Sequence, residues 1–170
     1  SKARPPFHQD LAYFDFTGTM CVLWLPLEPV NKESGIAFVR GSHLWDKLFM
    51  RVRFADGHPT FEPQEVAGQT YHPPPEVNAD DDDYDLLQWD LELGDCIYFD
   101  MRTLHGGLSS TIQTQTSRRF TLRMTAPDGV IHYRGDWAKE ERAIFEAEGY
   151  KEGDKLNGAF FPQLWPRIDE

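Results

Sequence analysis

Three residue positions in this sequence carry the types that hold a metal ion. His8-Gln9-Asp10 is a histidine–x–aspartate triplet. On an extended chain, residues two apart point to the same side, so the imidazole and the carboxylate converge while Gln9 faces away. That supplies two of the three ligands of a two-histidine, one-carboxylate triad, an arrangement that leaves adjacent coordination positions open for substrates. A further ligand candidate, His105, follows the apolar run Cys96-Ile97-Tyr98-Phe99 and precedes Gly106-Gly107, where the backbone is expected to pass close to another segment. Thirteen positions further on, Arg118 opens an alternating stretch on the face shared by Phe120, Leu122 and Met124. An arginine on an apolar face is costly unless an anion pairs with it. A dicarboxylate co-substrate held by the guanidinium fork is one such anion. An acid of the protein's own rim is the other.

The elements that position these residues read as β-strands. Segments 20–27, 35–39, 96–99 and 118–125 are short, rich in β-branched, aromatic and aliphatic residues, and closed by Gly, Pro, Asn or Asp. Several such strands argue for an all-β sandwich or barrel forming one domain over 1–170. The stretch 55–88, with Pro59, Pro63, Pro73 to Pro75 and the run Asp80 to Asp83, is expected to be a loop insertion beside the barrel mouth. The aspartates lack the alternating spacing and glycine of an EF-hand, so they read as a solvated loop. One helix is expected over 136–149, with Asp136 as N-cap, Trp137, Ile144 and Phe145 on one face, and Gly149 as stop. The tail around Phe160, Phe161 and Trp165 is apolar enough to pack on the sheet.

Composition narrows the function classes. The 170 residues are 40% apolar and 14% aromatic, enough for a sizeable core. Lys and Arg number 17 against 28 acids, a net charge of −11, which argues against a nucleic-acid or anionic-membrane partner. No apolar run is long enough to span a bilayer, and the first residues show no signal-peptide core. Cys21 and Cys96 form no framework, suit a cytoplasmic, reducing compartment, and read as small buried hydrophobes.

Taken together, PFHQDLAYF, CVLWLPLEPVNKESGIAFVRGSH, GDCIYFDMRTLHGG and SRRFTLRM, in that order, resemble the phytanoyl-CoA dioxygenase (PhyH) family from about residue 6 to 125. The resemblance implies a double-stranded β-helix (jelly-roll, cupin-like) fold with a few peripheral helices, and an N-terminal part that this sequence lacks. It implies an Fe(II)- and 2-oxoglutarate-dependent dioxygenase that hydroxylates a small organic molecule, consuming O2 and releasing succinate and CO2. The same resemblance makes His8, Asp10 and His105 the iron ligands and Arg118 the partner of the distal carboxylate of 2-oxoglutarate, with Arg119 as the fallback. Trp24 matches a tryptophan beside the site, with core packing as its other reading. His43 belongs to a structural Gly-Ser-His turn. Tyr13 and Phe14 are candidates for the substrate mouth, and His58 and His72 for a substrate contact from the long loop. His132 has no assigned role.

Two other classes remain open: a cupin-like metal enzyme that does not use 2-oxoglutarate, and a non-catalytic jelly-roll binding module. The expected partner is a small-molecule substrate, and no obligate protein partner is implied.

Overall fold

The computed structural model describes residues 4–54, 65–66, 68–108, 118–134 and 139–166. In chain order the elements are β1 (Phe16–Thr17), β2 (Met20–Pro26), β3 (Ala37–Val39), β4 (Leu48–Phe49), β5 (Glu65–Val66), β6 (Gln69–His72), β7 (Leu86–Leu87), β8 (Ile97–Asp100), β9 (His105–Gly106), β10 (Arg119–Thr125), β11 (Val130–Ile131) and α1 (Lys139–Ala147). Short 3-10 turns occupy Asp10–Tyr13 and Ser42–Leu44.

Two antiparallel sheets form the jelly roll. One has the order β10-β2-β8 and the other β7-β3-β9, the second extended beyond β9 by an isolated bridge between His8 and His105. Met20, Val22, Trp24 and Phe99 from the first sheet meet Phe38 from the second in one core, together with Leu11, Leu91 and Met101. Along β2 burial alternates residue by residue, Met20, Val22, Trp24 and Pro26 pointing in. That alternation is what a strand with one face on a core requires.

The register of β10 against β2 sets the orientation of the arginines. Thr125, Arg123, Thr121 and Arg119 lie opposite Met20, Val22, Trp24 and Pro26. Directly paired residues share a face, so Arg119, Thr121 and Arg123 lie on the face of Met20, Val22 and Trp24, with both arginines still exposed to solvent. Phe120, Leu122 and Met124 lie outward with Cys21, Leu23 and Leu25, and Phe120 is 51% exposed. The apolar face of this strand is therefore the outer one, opposite to the expectation that put Arg118 on a buried face. A period of two identifies which residues travel together and leaves open which set faces the core.

Other expectations are corrected in detail. In its described part, 65–66 and 68–88, the expected loop insertion carries strands: β6 pairs parallel with β4 and antiparallel with β5, and β7 is a strand of the jelly roll itself. Tyr71 and Val77 within it are fully buried, because the excursion packs back on the barrel. The helix is observed over Lys139–Ala147; Asp136 and Trp137 lie outside the described residues. In the tail, Phe161 packs on Phe16, Phe145 and Tyr150, while Leu164 and Trp165 project into solvent. Cys96 is exposed and Cys21 half-buried, since both lie off the inner face; neither is in a disulfide. No helix among the described residues is long and apolar enough to cross a membrane.

Candidate metal centre

His8 and His105 are held by backbone pairing. The His8 N–H donates to the His105 carbonyl at 2.9 Å, and the His105 N–H donates back to His8 at 3.0 Å. Their rings consequently lie side by side, with centroids 4.4 Å apart. The close approach rests on glycine: a Cβ at Gly106 would sit 2.8 Å from Phe7 Cα, and one at Gly107 2.7 Å from Pro5 Cδ.

Asp10 is delivered differently from the expected strand position. The chain is extended through Gln9 and then enters the 3-10 turn that Asp10 opens. Gln9 does face away, and it is buried. It donates from Nε2 to the Arg102 carbonyl at 2.9 Å and accepts the Phe49 N–H at Oε1. This fixes the middle of the triplet to two neighbouring segments.

The three side chains are buried, and their ligating atoms lie within 4.8 Å of one another. Asp10 Oδ1 is 3.4 Å from His8 Nε2 and 3.7 Å from His105 Nε2. The His8 Nδ1 lies 2.9 Å from the Pro6 carbonyl, and the His105 Nδ1 2.9 Å from the Thr103 carbonyl. A carbonyl only accepts, so each Nδ1 carries the proton, and in the neutral ring Nε2 presents its lone pair. Burial, reinforced by His8, holds the His105 imidazole down to about 4. Burial raises the Asp10 carboxyl, but His8, His105 and Arg123 outweigh it and bring it to about 2. Electron-pair donors converging on one buried point without a donor hydrogen between them fit a cation. Two imidazoles and one carboxylate are the donor set of non-haem Fe(II). Among the described residues this is the group of three or more metal-ligating side chains.

The remaining residues singled out from the sequence fall in varied places. Arg118 lies outside β10 and is exposed. It binds Glu28 through its backbone N–H at 2.8 Å and through Nε and Nη2 at 2.7 and 2.6 Å. Arg119 is on the inner face at Pro26, and no described acid pairs with it. Trp24 is buried in the core on that same inner face. Tyr13 lies edge-on to His8 at 5.5 Å and donates its hydroxyl to the Val52 carbonyl; burial pushes that hydroxyl up to about 12. Phe14 lies 5.0 Å beneath the Arg123 guanidinium. His132 bonds Glu152, His72 is exposed on β6, and His58 lies outside the described residues.

Two neighbours of the centre were not singled out from the sequence. Arg123 donates to Asp10 Oδ2 from Nε at 3.2 Å and Nη2 at 2.9 Å. Its signal was present, because it alternates with Arg119 and Thr121 along one strand face. Phe54 packs edge-on to His8 at 4.9 Å while remaining half exposed, and nothing in its local sequence marks it.

The family model described as phytanoyl-CoA dioxygenase (PhyH) matches residues 2–120. Among solved structures, the epimerase SnoN in complex with Fe3+, alpha ketoglutarate and nogalamycin RO is 24% identical, with a TM-score of 0.56 over 94% of this chain and 57% of its own. The alpha ketoglutarate-dependent carbocyclase SnoK from nogalamycin biosynthesis is 19% identical, with a TM-score of 0.57 over 94% of this chain and 55% of its own. The likeness is one of fold, that of a double-stranded β-helix, and the chain spans little more than half the length of either protein. No curated protein matches it.

Proposed function

The chain belongs to the phytanoyl-CoA dioxygenase (PhyH) family, and from that premise we propose that it forms the metal- and co-substrate-binding part of an Fe(II)- and 2-oxoglutarate-dependent oxygenase. The observation that carries this reading is the convergence of His8 Nε2, His105 Nε2 and Asp10 Oδ1 on one buried point. His8, Asp10 and His105 are the iron ligands in this reading. Iron with 2-oxoglutarate and O2 supplies an oxidant strong enough to take hydrogen from an unactivated C–H bond, with succinate and CO2 as co-products.

The protein's own residues orient and exclude. The Pro6 and Thr103 carbonyls fix both imidazoles in one tautomer, as carbonyl partners of ligating histidines generally do. Phe38 and Phe99 pack against the His105 ring, with centroids at 5.6 and 4.8 Å, and give it an apolar backing. The distal carboxylate of 2-oxoglutarate needs a cation on the inner face. The register favours Arg119 for this, with Trp24 packed nearby on the same face. Arg118 serves only if it leaves Glu28. Tyr13, Phe14 and Phe54 border the mouth where a small organic substrate would approach. The free cysteines suit a cytoplasmic setting.

Hydroxylation is the simplest outcome of such an oxidation. A second outcome, epimerisation or ring closure of the substrate, is favoured by the likeness to SnoN and SnoK.

The test is anaerobic addition of Fe(II) and 2-oxoglutarate, read by the weak visible metal-to-ligand charge-transfer band. The expected result is a band in the parent that is lost in Asp10→Ala. Absence of the band in folded, metal-loaded parent protein would overturn the reading in favour of a cupin-like metal enzyme or a binding module.

A further inference from the structure

Asp10 presents two oxygens to two different partners. Oδ1 faces the two imidazole nitrogens at 3.4 and 3.7 Å, whereas Oδ2 accepts two N–H bonds from the Arg123 guanidinium, at 2.9 Å from Nη2 and 3.2 Å from Nε. Arg123 is itself positioned. It lies opposite Val22 in the β10–β2 ladder, which turns it inward, and its guanidinium covers the Phe14 ring at 5.0 Å. The backbone register on one side and the aromatic face on the other aim this planar donor fork at Oδ2, while about a third of the Arg123 side chain stays open to solvent.

We propose that Arg123 is a positioning residue that reserves Oδ2, so that Asp10 ligates the metal through Oδ1 alone. This rests on the metal-site reading above and deepens it. A carboxylate with both oxygens free can ligate a divalent cation through one or both. A cation approaching Oδ2 here would meet a guanidinium already bonded to it. Held to one oxygen, Asp10 leaves an octahedral ion three open positions: two for a chelating 2-oxo acid and one for O2. Held by two, it leaves too few. In this way one strand residue outside the triad sets how many positions are available for chemistry.

The test uses Mn(II) without co-substrate, read by water-proton relaxation, which counts the exchangeable waters on the bound ion. The parent is expected to show three waters. Arg123→Met keeps the stem over Phe14 and removes the donors, and it is expected to show two, a relaxation enhancement lower by about one third. Arg123→Lys, with a single donor nitrogen in place of the fork and the same charge, is expected to fall between them. Two waters in the parent would overturn the inference even if Arg123→Met does not fold. An unchanged count in folded, Mn(II)-loaded Arg123→Met would overturn it too, and loss of 2-oxoglutarate affinity alone would make Arg123 a co-substrate contact instead. Failure of the parent to bind Mn(II) brings down the metal site itself, whereas a parent with a charge-transfer band and an insensitive Arg123→Met brings down only this inference.

Discussion

His8 and His105 form a hydrogen-bonded antiparallel pair, each donating its N–H to the other's carbonyl. Their imidazoles are thus fixed on the same rung and the same face of a sheet, although one comes from the start of the chain and the other from β9. A slip of one residue in this pairing would turn one imidazole away from the other. The features that hold the rung in register therefore set the geometry of the whole centre.

Gly106 is the first of these features. A methyl group there would stand within 3 Å of the Phe7 backbone and ring, with no flexible end to yield. Gly106→Ala is expected to destabilise the fold by about 1–3 kcal/mol, the usual cost of overpacking, and to weaken Mn(II) binding by pushing His8 away from His105. Urea denaturation and a Mn(II) titration check it, and a variant matching the parent in both would show that the strands can separate at no cost.

Ser42 is the second. It is fully buried, donates its hydroxyl to the Val39 carbonyl at 2.8 Å and accepts the Leu104 N–H at 2.8 Å, just before His105. Ser42→Ala leaves that amide without a partner, a loss of about 1–3 kcal/mol. Faster hydrogen exchange at Leu104 is expected alongside the lowered denaturation midpoint. Unchanged exchange would mean another group takes over the amide.

Arg118 and Arg119 are separable by experiment. If Arg119 anchors the co-substrate, Arg119→Ala loses charge-assisted hydrogen bonds of about 1.5–3 kcal/mol and weakens 2-oxoglutarate binding at least tenfold in the anaerobic titration. Arg118→Ala breaks only an exposed pair with Glu28 and is expected to change the affinity less than twofold. The opposite ranking would return the role to Arg118.

Asp15 supplies a pH-dependent case away from the centre. It is wholly buried; Oδ1 accepts the Arg134 N–H at 2.8 Å, and Oδ2 lies 3.6 Å from Arg142 Nε. Burial raises its carboxyl above the ordinary 3.8, against the pull of Arg134 and Arg142. Folding thus favours the protonated form, so this contribution is complete below about pH 3.8 and is lost as pH rises through the folded value. Asp15→Asn lacks that titration, whereas nearby Glu141, also raised by burial, titrates in both proteins. The stability of the parent relative to Asp15→Asn is expected to fall as pH rises across this window. Denaturation midpoints at pH 4 and pH 7 decide it, and a relative stability that grows with pH contradicts the argument.

Much of the candidate site is local and was legible in the sequence. The spacing of His8 and Asp10 puts both side chains on one side of the chain because Gln9 between them is extended, although Asp10 itself opens a 3-10 turn, and the paired glycines after His105 mark a close approach that Phe7 and Pro5 make. Likewise, the alternation over 118–125 separates Phe120, Leu122 and Met124 from Arg119, Thr121 and Arg123 without reference to any other strand.

Tertiary pairing decided the rest. Which face of that strand looks inward depends on its register with β2, because a period of two has two equivalent solutions until a partner strand is chosen. That choice turned Arg123 toward Asp10 and left Arg118 at the rim with Glu28. The meeting of His8 with His105 is likewise a long-range backbone contact. Local sequence can supply the donors, but only the closing of the two sheets brings their lone pairs to one point.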